Sequence, residues 1–284
     1  MRYVNAQEVP REKIYSAFQK GFSDYMIRFQ ITQEGFFERF FVSEGNDFSI
    51  SYVALDGENP VGLVLGGVKD FDGVKTMRCG TLCIDPAYRG KGVSDALFSL
   101  HEKSAKESGC RQMFLEVIKG NDRAVSFYEK KGYSRIYDMK YYAVGPQELL
   151  VEKTRLLEEL TMRGMSIEEF FSVKEQVGEV HLNWQTDFQA MKITEDIHFL
   201  GVYRKERIIG ACAYRTSGKI YFIWVHKEER LQGIGASLLQ EIARKTLGEK
   251  IQMSFSNHMG LWGFVHRLGF REEKLSQYEM VRLL

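Results

Sequence analysis

Arg89-Gly90-Lys91-Gly92-Val93-Ser94 and Arg230-Leu231-Gln232-Gly233-Ile234-Gly235 lie 141 residues apart, and each connects an apolar strand-like run to a helical one. The preceding runs are Thr81-Leu82-Cys83-Ile84 and Tyr221-Phe222-Ile223-Trp224-Val225. After the glycines, Ala96, Leu97 and Leu100 in one copy and Leu238, Leu239 and Ile242 in the other recur at helical spacing. A strand that passes into a helix through glycines leaves several backbone N–H groups unpaired and aimed at one point, which favours a phosphate. Gly90, Gly92 and Gly235 add conformational freedom and let an oxygen approach the main chain closely. One such turn is equally compatible with a mere tight connection; two mark an internal repeat.

Composition agrees with two copies. A length of 284 residues corresponds to about two domains of ordinary size. Lys plus Arg number 39 against 38 Asp plus Glu, a formal net charge of +1, with no long block of like charges. Nucleic acid or an anionic membrane surface is therefore a poor candidate for the dominant partner. No apolar stretch approaches the ~18 residues of a membrane span, and Met1-Arg2-Tyr3-Val4 lacks a signal peptide's apolar segment, so a soluble, cytoplasmic protein is expected. Cys79, Cys83, Cys110 and Cys212 form no Cys-x-x-Cys pair and read as buried reduced thiols. The six histidines show no metal spacing, so no metal is expected.

The same element order is legible twice. Residues 10–21 and 32–42 have helical spacing; strands follow at 49–55, 61–68 and 74–84, joined through Asp56-Gly57 and Asp72-Gly73, both strong hairpin signals. A helix over 92–108 stops at Gly109. Then come a strand (112–118), a helix (123–131) capped by Asn121 or Asp122 and ended by Gly132, and closing strands over 133–144. The periodic pattern lapses at Gly145-Pro146-Gln147. These residues divide a domain over 1–144 from one over 148–284, which opens with a charged amphipathic helix from about 148 to 162. The second half repeats strands at 197–203, 208–214 and 219–225, the glycine turn, a helix to 246, a strand at 251–256 and a helix ending near Leu268-Gly269.

Asn121, Ala124, Phe127, Tyr128, Gly132 and Tyr133 follow the first glycine turn by about thirty residues. An Arg-x-x-Gly-x-Gly/Ala turn followed at that spacing by Asn-x-x-Ala-x-x-Phe-Tyr-x-x-x-Gly-Tyr resembles the Gcn5-related N-acetyltransferase superfamily. The resemblance covers nearly all of residues 1–144 and extends to the second half with a weaker second motif. It implies an α/β (α+β) chain of two tandem acyl-CoA N-acyltransferase-like domains. Each would be a mixed, mostly antiparallel sheet flanked by helices, with acetyl-CoA held between two splayed strands. By the same resemblance the pyrophosphate would sit on the N–H groups of Gly90, Lys91, Gly92, Val93, Ser94 and Asp95, with Arg89 also counted to the cofactor site. The pantetheine arm would run along Leu82, Cys83 and Ile84, with the N–H of Leu82 or Cys83 facing the thioester carbonyl and Asn121 bonding the arm or simply capping its helix. Ser94 departs from the small residue usual there but keeps its N–H.

Acetyl transfer to an amine needs two proton transfers. Tyr128 occupies the position of the family's general acid; packing under the sheet with a satisfied hydroxyl is the blander role. Glu116, in Leu115-Glu116-Val117, lies twelve residues before Tyr128, similar to the spacing in ribosomal-protein alanine acetyltransferases, and is a candidate base or a structural carboxylate. Histone-type relatives carry a glutamate where this chain has Arg78. In the second copy, aligning Gly269-Phe270 with Gly132-Tyr133 puts Val265 and Met253 at the Tyr128 and Glu116 positions, and neither can move a proton. That half is expected to be noncatalytic: it could bind a CoA-type ligand, bury a dimer-like face of the first domain, or wall the acceptor pocket. A chain carrying both copies is compatible with a monomer. The acceptor amine is unspecified. Asp24 could attract a cationic amine or cap a helix, and the aromatics from Phe22 to Phe41 could line the acceptor side or pack in the core. A noncatalytic CoA-binding or regulatory protein is the alternative.

Overall fold

The computed structural model describes residues 1–151, 156–178 and 180–284. The chain divides into two compact units, one of residues 1–136 with 278–284, the other of residues 137–277. This differs from the expected division at 145–147, because two strands cross the boundary and the last seven residues belong to the first unit.

In the first unit, β1 (Arg2–Asn5) leads to α1 (Arg11–Gly21) and α2 (Gln33–Phe37), which continues as a π-helical turn over Glu38–Ser43. Next come β2 (Asp47–Asp56), β3 (Asn59–Phe71), β4 (Val74–Ile84), α3 (Val93–Glu107), β5 (Gln112–Ile118) and α4 (Asp122–Lys130). The strands lie in the order β1-β2-β3-β4-β5, antiparallel except for the parallel pair β4 and β5. At the β3–β4 hairpin Asp72 and Gly73 both take positive φ, +49° and +75°, the geometry whose twist suits a two-residue connection. Asn121 caps α4 by accepting from Ala124 N–H at 3.2 Å. One face of the sheet packs against α1 and α2 through Ile14, Phe18, Phe36, Leu63 and Leu65; the other packs against α3 and α4 through Met77, Leu97, Phe98, Met113 and Leu115. Of the aromatics from Phe22 to Phe41, Phe36, Phe37 and Phe40 are buried in the core, beside Phe18.

β6 (Ser134–Val144) and β12 (Arg271–Leu283) each have residues in both units. Between them the second unit holds α5 (Pro146–Leu149), β7 (Leu160–Gly164), α6 (Ile167–Val177), α7 (Phe188–Ile193), β8 (Ile197–Arg204), β9 (Arg207–Arg215), β10 (Ile220–Val225), α8 (Ile234–Lys245), β11 (Ile251–Ser256) and α9 (Met259–Arg267). Strands β10-β9-β8-β7 form an antiparallel sheet, and β11 pairs with residues 139–144 of β6. The expected helix over 148–162 is corrected: among the described residues there, the helix is Pro146–Leu149, and Leu160–Gly164 pairs with β8 instead. Residues 152–155 of that expectation lie outside the described residues. Ladder bonds to β8 outweigh the helical charge pattern, as tertiary context commonly does. Among the described residues no helix is long and apolar enough to cross a membrane, and the four cysteines are free and buried.

His101, on the inner face of α3, is fully buried, and neither ring nitrogen has a hydrogen-bond partner among the described residues. Burial lowers its pKa to about 4. Between that value and the unfolded ~6.5 the unfolded chain binds more protons, so stability is lost as pH falls through this window. Unfolding free energy should drop by about 2 kcal/mol more between pH 7.5 and pH 5 in the native chain than in His101→Leu, read from urea midpoints. Equal drops in the two proteins would contradict this.

Candidate functional site

β4 and β5 are paired only at Thr76–Gln112, Met77–Met113 and Arg78–Phe114. Beyond Arg78, β4 runs on to Ile84 and β5 to Ile118 without partnering each other, so a wedge opens between them. The β3–β4 register skips Gly80, a bulge that bends the strand at the fork. Asp85 N–H donates to Val61 O at 2.9 Å, and antiparallel pairing alternates from there. Thr81 and Cys83 therefore spend their main-chain groups on β3, whereas those of Leu82 and Ile84 point into the wedge. Of the two expected thioester-facing donors, the register leaves Leu82; Cys83 directs its thiol to Ala17 O at 3.8 Å, on the α1 side.

At the wide end of the wedge stands the first glycine turn. Gly90 and Gly92 take φ of +73° and +78°, and Gly92 caps α3 with no side-chain bond. The first helical bond is Ala96 N–H to Gly92 O at 3.1 Å, so Val93, Ser94 and Asp95 have N–H groups with no carbonyl in the helix to receive them. Arg89 braces the turn from behind: Nε donates to Ile84 O at 3.1 Å, and its other nitrogens pair with Asp24 at 2.5 and 2.7 Å. Among the described residues Asp24 caps no helix; its carboxylate, 53% exposed, is paired with Arg89. Lys91 lies over the Tyr88 ring, and the Asp95 carboxylate is held by Lys131 at 2.6 Å. Asn121, besides capping α4, donates to the hydroxyl of Tyr25 at 3.5 Å.

The fork is lined differently on its two faces. On the α3/α4 face the Tyr128 hydroxyl lies 4.0 Å from Cys79 Sγ, with Phe98 and Tyr133 around it and the Tyr133 hydroxyl buried without a partner. Burial raises the Tyr128 phenol well above its ordinary value and pushes the Cys79 thiol up to about 12, so both stay protonated at neutral pH. On the α1/α2 face Glu116 is held by Arg78, Nε to Oε2 at 2.8 Å, and the same guanidinium reaches Glu44 Oε2 at 3.1 Å. Glu44 in turn accepts from Arg39 Nε at 3.2 Å. The Arg78, Glu116 and Glu44 side chains are 4%, 5% and 8% exposed, so this is a buried ion network, not a surface pair. Burial raises the Glu116 carboxyl, and Arg78 partly counters it. Sequence reading names Glu116, Tyr128, Arg78 and, among the acceptor-side aromatics, Tyr25, but not the pairing of Arg78 with Glu116, and it misses Glu44. A charge inside Met77-Arg78-Cys79, the same pattern as Leu115-Glu116-Val117, was the available signal.

The second unit repeats backbone features of this site with different side chains. Arg230 Nε donates to Val225 O at 3.1 Å as Arg89 does to Ile84, and Gly233 caps α8 at φ +81°. Leu231, in the place of Gly90, is forced to φ +64° with its side chain almost wholly exposed. His258 caps α9 as Asn121 caps α4, and Phe270 N–H bonds Val265 O as Tyr133 N–H bonds Tyr128 O, both at 3.1 Å. These equivalent bonds put Val265 at the Tyr128 position; Met253 lies in the matching strand, and both are buried in core.

A model described as the acetyltransferase (GNAT) family matches residues 11–133, and one described as an acetyltransferase (GNAT) domain matches residues 167–280. Among curated proteins, N-alpha-acetyltransferase 30 of Schizosaccharomyces pombe is 34% identical over 112 residues, 38% of this chain and 71% of that one. An acetyltransferase of Sodalis glossinidius is 37% identical over 88 residues, 31% of this chain and 59% of that relative's length. Among solved structures, a tandem GNAT protein from the clavulanic acid biosynthesis pathway superimposes with a TM-score of 0.63 at 14% identity, covering 82% of each chain. A GCN5-related N-acetyltransferase from Sphaerobacter thermophilus gives 0.67 at 15% identity, covering 99% of this chain and 94% of that one. At these identities the structures show a shared fold.

Removing Arg78 leaves two buried carboxylates without their shared cation. Arg78→Met should cost about 3–5 kcal/mol of unfolding free energy at pH 8 and less at pH 5, where Glu116, its proton affinity raised, can be neutral. Urea unfolding at the two pH values checks this, and equal costs would contradict it.

Proposed function

The chain belongs to the GNAT acetyltransferase family, and on that premise we propose that its first unit moves an acetyl group from acetyl-CoA to a primary amine by direct attack in a ternary complex. The observation that carries the proposal is the wedge between β4 and β5, which ends on the uncapped N-terminus of α3 and has Glu116 and Tyr128 on its two faces. Leu82 and Ile84 offer main-chain groups along the wedge, suited to the amides of a pantetheine arm. The N–H groups from Gly90 to Asp95 suit its pyrophosphate, each charge-assisted bond being worth ~1.5–3 kcal/mol.

Acetyl-CoA supplies an acyl thioester; the amine nitrogen forms a bond to the carbonyl carbon as the carbon–sulfur bond breaks. On this reading Leu82 N–H donates to the oxygen on which charge develops. Tyr128, protonated at neutral pH, gives its proton to the departing sulfur; its phenolate is costly in so apolar a site, so proton return from solvent must be rapid. Glu116 takes the proton lost by the amine. Its raised proton affinity makes it a stronger base than an exposed carboxylate, and its pairing with Arg78 keeps it aimed. The second unit, with Val265 and Met253 at the corresponding positions, is read as noncatalytic.

Calorimetric titration with acetyl-CoA should give saturable micromolar binding that Gly92→Glu abolishes, because a bulky anion then occupies the phosphate turn at a φ suited to glycine. Retained affinity in that variant would place the cofactor elsewhere. Tyr128→Phe should lower turnover of a competent amine by on the order of 10²-fold with little change in acetyl-CoA affinity; unchanged turnover would remove the acid role.

A further inference from the structure

The last seven residues, 278–284, are part of the first unit although the second half of the sequence carries them. There β12 lies beside β5, Leu284 N–H bonds Arg111 O at 3.0 Å, and Arg282 forms a two-pronged pair with Glu102 at 2.9 and 3.0 Å. Met280 is buried, and Tyr278 partly so, in the α3/α4 core. Since successive residues of a strand face opposite ways, Glu279 between them points to the other face. On β5 the neighbours Leu115 and Val117 lie in that same core, so Glu116 also turns away from it. Glu279 is fully buried there, on the face that holds Glu116, Arg78 and Glu44.

We propose that Glu279, delivered by the C-terminal strand, is a positioning residue for Glu116, opposing the pull of Arg78 so that the base remains able to accept a proton. Among the described residues, charged groups from other elements act on Glu116. Arg78 on β4 favours its ionised form, while Glu279 on β12 and Glu44 after α2 oppose it, on top of the larger effect of burial. A carboxylate held only by Arg78 would be a weak base; a carboxylate buried without Arg78 would be neutral at rest. The second half of the sequence thereby reaches the first unit's chemistry through one side chain. This inference rests on Glu116 being the base.

The test is a carboxyl NMR titration of the full chain labelled with ¹³C at the glutamate side-chain carboxyl, Glu116 being assigned by the signal lost in Glu116→Gln. Glu279→Gln should lower the Glu116 midpoint by about one pH unit, and Glu279→Asp, which keeps the charge, should leave it near the native value. A Glu116 midpoint unmoved by Glu279→Gln would overturn the inference, as would an equal shift in Glu279→Asp, which would mark a packing effect. Should Glu279→Gln fail to fold, the Asp variant and a midpoint measured against added salt decide: a buried neighbour predicts a salt-insensitive value, and a salt-sensitive one overturns the proposal. The base reading is tested apart from this, by whether Glu116→Gln loses CoA release with the best primary amine from a screen.

Discussion

An unpaired strand edge cannot be left in a protein interior, because each main-chain N–H and C=O removed from water must find a partner. Here β4 and β5 separate after Arg78 and Phe114, so the outward groups of Leu82 and Ile84 have no ladder to join. Arg89 takes the carbonyl of Ile84 and so ties the end of the open edge to the glycine turn. The remaining groups face a wedge, and the wedge leads to the bare N-terminus of α3. An extended ligand with amides along its length and an anion at one end would satisfy both demands at once, which is the ground for proposing that the two features form one site.

The fork itself is held by charge. Arg78 sits at the last paired position of β4 and reaches across to Glu116 on β5 and back to Glu44 behind α2. Buried ion pairs add little net stability over a well-packed apolar alternative, so their retention calls for another role. In this unit the network fixes the direction of the carboxylate that the proposed chemistry uses and holds it in a state that burial alone would not allow. On the opposite face, the apolar surroundings of Tyr128 keep its proton in place until a stronger acceptor arrives. One sheet thus presents the proposed acid and the proposed base from environments that differ by face.

Much of this was legible in the residues. The glycine turns, the Asp-Gly hairpin at 72–73, the capping Asn121 and the apolar strands around them obey local rules, and their elements fall within three residues of where those rules place them. Glu116 was conspicuous as a charge in an apolar strand. Its partner was not, because pairing between Arg78 and Glu116 depends on a parallel register that sequence spacing does not specify. The Ser166-x-x-Glu169 capping box was readable in principle and begins α6 as such a box should. The segment at 160–164 was not, since an edge strand owes its form to β8 rather than to its own pattern. Least legible was the return of residues 278–284 to the first unit, a fact of topology that carries Glu279 to the site.

The central claim, that the wedge and the first glycine turn are one ligand slot, is tested most directly by residue-resolved amide hydrogen exchange with and without acetyl-CoA. The account predicts added protection at Leu82, Ile84, Val93, Ser94 and Asp95, with little change at Cys83, whose N–H is already committed to β3. Protection that spares Leu82 and the α3 N-terminus, or that appears at Cys83 instead, would contradict it.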